Sequence, residues 1–535
     1  MPRSVPLIEI ARQVARELKR GRPGSSVAMA VTVAQSRPEL ADALVELFAT
    51  ESRREPPDGP VLDAILLMVN AALEAIGIDA ENGDPDAIAR VATLRAGVLD
   101  LAQEEAFDTR ALVSLAGAFS AARLDLGDAL HHHLAARLDA AGPEASVPGG
   151  PEALIGHLTE LAAEAGDVFI YAAQLRDLIA AVPSAQRGPF AVATFAPDVE
   201  ILREAVLAWL FESAADTRAA VVALLGDAVR SGQVSGTMLR RLIMARTWLP
   251  EGERPAVDAV IAAARSRGVS VEPLAPAKVQ TVYATGVDGA GAQSLFILVR
   301  EGRRYAVAAI LVKAEHGIRD AWVQHGGTRR DAESLLAQVA EQVGLLPSGI
   351  GYAETVMAHA LAVNAASGEL PPFGLLDVVE SAGIATLRPQ DADIPALVDS
   401  LCAALPTRWL GPEGDAPLLA SSGSWPNIYP FVSSWFEDDP AVAAALTGRT
   451  RITAKAVSDV LDRVFEVRRA RWAERMAWIA LAMKEAPGGV DWAAFAVTAR
   501  ALLAGRPLRD IPIMTAIARL SAEVAIRRGR ERARP

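Results

Sequence analysis

One stretch of this chain abandons the helical spacing of apolar residues that governs nearly all the rest, and that contrast limits the fold. Residues 278–323 read KVQTVYATGVDGAGAQSLFILVREGRRYAVAAILVKAEHGIRDAWV. Two runs, 279–285 and 294–300, are rich in β-branched and aromatic residues and are divided by a Gly-Asp turn cluster. A third, 303–313, follows the turn Glu301-Gly302. Such runs between short turn signals predict a three-stranded antiparallel meander. A sheet that small needs its apolar face covered, and residues 329–343 supply a helix with Leu335, Leu336, Val339 and Val343 along one side. The predicted unit is a small α+β module over residues 276–346.

Everything around it reads as helix, so the fold class is mainly α: a multi-domain, irregular helical array with that module inserted near its middle. At 535 residues the chain is too long for one core. Residues 142–150 (GPEASVPGG) lack periodicity and read as a linker, which separates an N-terminal helical domain, 1–145, from a second one, 151–275. The C-terminal helical domain spans 347–535. No fixed repeat of 34 or 40 residues holds, which argues against a regular solenoid. Residues 79–86 (DAENGDPD) look like a calcium loop, but Gly83 falls early and no terminal Glu is in place, so they read as a capped turn. The pattern over 453–486 predicts the longest helix, and the tail 527–535 is expected to be disordered.

Apolar residues make up 51% of the chain, yet wholly apolar runs fall short of the roughly 18 residues a spanning helix needs. With no signal-peptide core at the N-terminus, the expectation is a soluble protein with no membrane contact, cytoplasmic. Arginine outnumbers lysine 48 to 5, the usage of a GC-rich bacterial genome. The lone Cys402 excludes internal disulfides and any cysteine-based metal site, and its apolar surroundings predict a buried small hydrophobe. Net charge is −12, unevenly spread: residues 446–535 hold 18 basic and 9 acidic residues, hence +9. That asymmetry implies either internal pairing or an acidic partner.

Motifs of the familiar enzyme classes are absent, and no cofactor is implied. The string Gly286–Gly291 resembles a phosphate loop, but a strand rather than a helix follows, so it reads as a hairpin turn. His131, His132 and His133 point about 100° apart on a helix and cannot converge on one metal ion. His316, Asp320 and His325, beside Glu315, are weak metal or acid–base candidates that require a turn to bring the histidines together.

Two features carry more weight. Within the loop 409–440, Trp425, Tyr429, Phe431, Trp435 and Phe436 gather among Pro, Gly and Ser. They form either a partner-binding surface or the filling between helical layers. In the following helix Arg468, Arg469, Arg471 and Arg475 form a basic patch, destined either for the acids Glu437, Asp438 and Asp439 or for a polyanion. The sequence therefore supports an interaction or scaffold protein with a protein partner. Nucleic-acid binding through the basic C-terminal region is the second reading, and an enzyme using the 315–325 edge is the third.

Overall fold

The computed structural model describes all residues except 1–5, 20–23, 147–149, 180–181, 183, 197, 275–276, 407–408, 410–411, 487–490 and 533–535. It divides into two compact units, residues 1–224 and 225–535. The expected linker at 142–150 is largely taken up by the ends of helices Asp128–Ser146 and Gly150–Ala165, with 147–149 outside the described residues.

The first unit is helical and is assembled around helix Gly59–Glu81. This helix is apolar over most of its surface because five others pack on it, Leu7–Leu18, Ser25–Ser36, Ala41–Ser52, Pro85–Gln103 and Thr109–Ala121, while Asp63 and Glu74 mark its exposed stripe. Ile65, Met68, Val69, Ala72 and Leu73 are wholly buried. By length and composition alone it is also long and apolar enough to cross a membrane, the one such helix among the described residues. The turn that follows is capped as expected: the Asp84 carboxylate accepts hydrogen bonds from the backbone N–H of Asp86 and Ala87.

The second unit carries the sheet. Its strands are β1 (Lys278–Ala284), β2 (Ala292–Glu301), β3 (Arg304–Lys313), β4 (Gly317–Gly327) and β5 (Leu346–Ser348), in the order β4-β3-β2-β1-β5, antiparallel throughout. Five strands replace the expected three. β4 escapes a sequence reading because an edge strand carries charge, here Arg319, Asp320 and His325, and β5 is only three residues long. The two central strands are buried on both faces. Phe296, Leu298, Val307 and Ala309 pack under helix Arg329–Val343, through Ala332 and Leu336. Leu295, Ile297, Val299, Ala306, Ala308 and Ile310 alternate with them and are buried on the other face. Helices Ile350–Ser367 and Gly374–Ser381 pack against the sheet as well. The covering helix starts on a capping box, in which Thr328 and Asp331 satisfy each other's backbone N–H.

Two expectations about the C-terminal region fail. The long helix over 453–486 is broken: Ala454–Val460 leads into a π-type turn at Leu461–Phe465 and a 3-10 turn at Glu466–Arg468 before helix Arg469–Glu485 begins. The wider turn shifts the helical phase, so that Val464, Phe465 and Trp472 all reach the interior. The tail also stays helical, since helix Pro512–Arg532 continues through it, and 533–535 lie outside the described residues. Arg528 pairs with Asp438 at 2.6 Å and Arg530 donates to the Thr450 carbonyl, contacts that a local composition reading cannot foresee. Cys402 is buried, and that burial pushes its thiol pKa up.

Candidate functional site

The aromatic loop is the pin between the β1–β2 turn and the C-terminal helices. Trp425 and Trp435 are buried; Trp425 stacks on Phe495 with centroids 3.9 Å apart, and Trp435 meets Trp472 edge-on at 5.6 Å. The Trp435 indole N–H donates to the Val287 carbonyl at 2.8 Å, and the Gly289 N–H donates to Ser434 Oγ. This gives the glycines of the phosphate-like string their reason. A Cβ on Gly286 would lie 2.1 Å from the Phe431 ring, and one on Gly289 would lie 1.8 Å from the Ser434 carbonyl oxygen. The turn is glycine-rich so that the aromatic loop can lie against it. Asp288 fills the turn from within, its carboxylate accepting from the N–H groups of Ala290 and Ala292. As a partner-binding set the five rings must therefore be corrected: Trp425 and Trp435 are sealed in the core, and Tyr429, Phe431 and Phe436 are half-buried.

The arginines behind this loop meet two different fates. Arg468 spans Glu437 and Asp439, each at 2.6 Å, and Arg469 forms a fork with Glu466 at 2.7 and 2.8 Å. Burial works against the Arg468 charge, yet the two carboxylates hold its pKa above the ordinary value. Among the described residues Arg471 reaches toward Glu315, at 3.6 Å, and its buried Nε has no acceptor. Arg475 has 2% of its surface exposed, and among the described residues none of its three nitrogens has a hydrogen-bond acceptor. Its guanidinium carbon lies 4.4 Å from the Trp472 ring centroid. Burial, reinforced by the neighbouring Arg471 charge, brings its pKa down to about 10.

Arg471 and Arg475 line a cavity of about 50 Å³ together with Gly291, Val356, Val363 and Trp478. On its far side His359 Nδ1 accepts from the Ala392 N–H at 3.2 Å, while Nε2 sits 3.4 Å from Glu474. Burial raises the Glu474 pKa, but hydrogen bonds from His359 and Trp478 hold it below the ordinary carboxylate range overall.

The histidine candidates do not converge. His316 immediately precedes β4 and His325 lies near its far end, so extended chain separates them by roughly 30 Å. His316 lies 3.3 Å from Glu369. Asp320 sits on β4, paired in register with Leu311. His325 is held between Asp377, at 3.1 Å, and Glu301, at 3.0 Å. The hydrogen bond to Asp377 is the main reason its pKa rises to about 9. Among the described residues no cluster of three or more His, Cys, Asp or Glu is arranged to hold a metal ion.

A groove that no local motif announces lies between helices Gly236–Ala245 and Gly374–Ser381. Its volume is about 310 Å³; Ile243, Met244, Leu376, Val379, Ile384 and Leu387 form its floor, and Arg240, Glu272, Glu380 and Arg388 its rim. Arg240 and Arg241 both bind Glu380, at 3.0 Å each, which ties the two helices together. Trp248 donates to the Leu387 carbonyl and fixes the floor from below. The residues come from positions about 140 apart, so only the alternating apolar faces of each helix were visible in sequence.

Three family models match separate parts of the chain: the Y4lR second domain over residues 183–268, a domain of unknown function (DUF7401) over 274–385, and the Y4lR C-terminal helical domain over 395–526. The chain is similar to the uncharacterized protein y4lR of Sinorhizobium fredii, with 28% identity over 481 residues, 88% of each chain. No solved structure matches it.

Proposed function

We propose that the protein is a bacterial interaction protein that receives an apolar segment of a protein partner in the groove between helices Gly236–Ala245 and Gly374–Ser381. The observation that carries this reading is the groove itself: an apolar floor of about 310 Å³ with two arginines and two glutamates at its rim. Interfaces combine a desolvated apolar centre with a polar border that fixes orientation, and the groove has both. The Arg240–Glu380–Arg241 clasp makes it preformed, which lowers the ordering cost of binding.

Internal pairing weighs against the nucleic-acid reading. Arg468, Arg469 and Arg528 face carboxylates of the same chain, and overall charge is −12.

The test is copurification of the full-length protein from its host against Ile243→Glu and Met244→Glu, which place charge on half-buried floor positions. A partner held in the groove binds purified wild type and is lost from both variants, by at least tenfold in affinity, while their melting temperatures stay near wild type. Equal capture by wild type and both variants overturns the reading.

A further inference from the structure

The cavity at Arg475 lies elsewhere in the second unit and has a different chemistry. We propose that it is a binding site for a small monocarboxylate: the carboxylate group is received by the guanidinium groups of Arg471 and Arg475, and the aliphatic part rests on Val356, Val363 and Trp478. Nothing in this depends on the groove or on a protein partner.

Arg475 carries the inference. A guanidinium with 2% exposure and three nitrogens lacking acceptors among the described residues is an expensive arrangement, because a buried charge without hydrogen bonds loses its hydration for only longer-range attraction in exchange. Trp472 answers one flat face of the group and none of its N–H edge. Arg471, one helical turn earlier, brings a second positive charge to the same cavity and leaves its own buried Nε unanswered. Placing two like charges together raises the cost further, and a single anion between them removes it. The group keeps its charge at neutral pH, since its pKa of about 10 is still well above 7.

The surroundings select the anion. A planar N–H fork matches a carboxylate in two parallel hydrogen bonds. Asp288, Glu437 and Glu474 all act on Arg475 through their charge without reaching hydrogen-bond distance, so the site is already rich in negative charge. A monoanion is tolerated there, whereas the second charge of a phosphate meets three carboxylates. Val356, Val363 and Trp478 give the cavity apolar wall beside the polar His359 and Glu474, and about 50 Å³ accommodates only a few heavy atoms. Gly291 closes one side: at φ +81° it brings the turn so near that a Cβ would lie 2.9 Å from Ala314 and 3.7 Å from Nη2 of Arg475.

The experiment is calorimetric titration and thermal melting of the full-length protein with acetate, propionate and butyrate. Chloride, sulfate and inorganic phosphate at matched ionic strength serve as the comparison anions. A saturable rise in melting temperature with at least one monocarboxylate, exceeding that of every comparison anion, is expected, together with a change in tryptophan emission from Trp472 and Trp478. Arg475→Met should weaken binding at least tenfold. Val363→Phe keeps both arginines and fills the cavity, so it should abolish the shift even if the arginine variant does not fold. Three results overturn the proposal: no monocarboxylate exceeding chloride, phosphate binding better than any monocarboxylate, or a carboxylate shift that survives in Val363→Phe.

Discussion

Two arginine pairs in the second unit are built in opposite ways. Arg240 and Arg241 sit on adjacent positions of one helix and both reach Glu380 of another, so two cations share one bidentate acid. Arg471 and Arg475 sit one turn apart, and Arg475, the most deeply buried of the four, has no acceptor among the described residues. The difference separates two uses of the same side chain. A satisfied guanidinium crosslinks helices, whereas an unsatisfied one keeps its hydrogen-bonding capacity for something that arrives from outside.

The largest effect is expected behind the unsatisfied pair. Trp435 backs Trp472, which in turn covers Arg475, so Trp435→Ala should remove about 3–5 kcal/mol of stability in urea denaturation. A loss below about 1 kcal/mol would mean that the rings are not core and that the cavity wall is not preformed.

The clasp and the unanswered arginine should then respond with opposite sign. Glu380→Ala strands two nearly buried cations and should cost about 3 kcal/mol by the same measurement. Arg475→Met removes a buried charge that no described carboxylate hydrogen-bonds, so in the absence of added anion it should be neutral or stabilising by about 1–3 kcal/mol. If Arg475→Met instead destabilises as strongly as Glu380→Ala, the contrast disappears and Arg475 is structural.

A third cationic centre offers a pH test of smaller size. His325 between Asp377 and Glu301 has a folded pKa of about 9 against an ordinary 6.5. Its contribution to stability is therefore fully present below pH 6.5 and is lost as pH rises through 9. With about a third of the side chain exposed, solvent screening discounts it to about 1 kcal/mol. Unfolding free energies of wild type and His325→Gln should differ at pH 6 and converge toward pH 9.5. A difference independent of pH would remove the charged clasp from the account.

Much of the fold was legible because it follows from local period. The strands at 278–313 and the helix that covers them lie where β-branched runs between turn signals and 3.6-residue spacing placed them. β4 was not legible, because an edge strand is free to carry Arg319, Asp320 and His325, and these interrupt the apolar run. The break in the helix after Val460 was hidden for another reason: a π-type turn leaves composition unchanged and alters only phase. Of the sites, the four arginines were recognisable as a basic cluster, but nothing local marked Arg475 off from Arg468, seven residues before it.

Sequence alone determined that this chain is mainly helical, where its first three strands and their covering helix lie, and that the turn at Asp84 is capped, since those depend on residues close in the chain. Tertiary structure decided what the polar groups are for. Glu380 lies 139 residues from Arg241, Glu437 lies 31 from Arg468, and the aromatic loop lies 145 from the glycine turn it rests on. Whether a buried charge is answered depends on which distant carboxylate the packing of two apolar faces brings within about 3 Å, and no local pattern contains that distance.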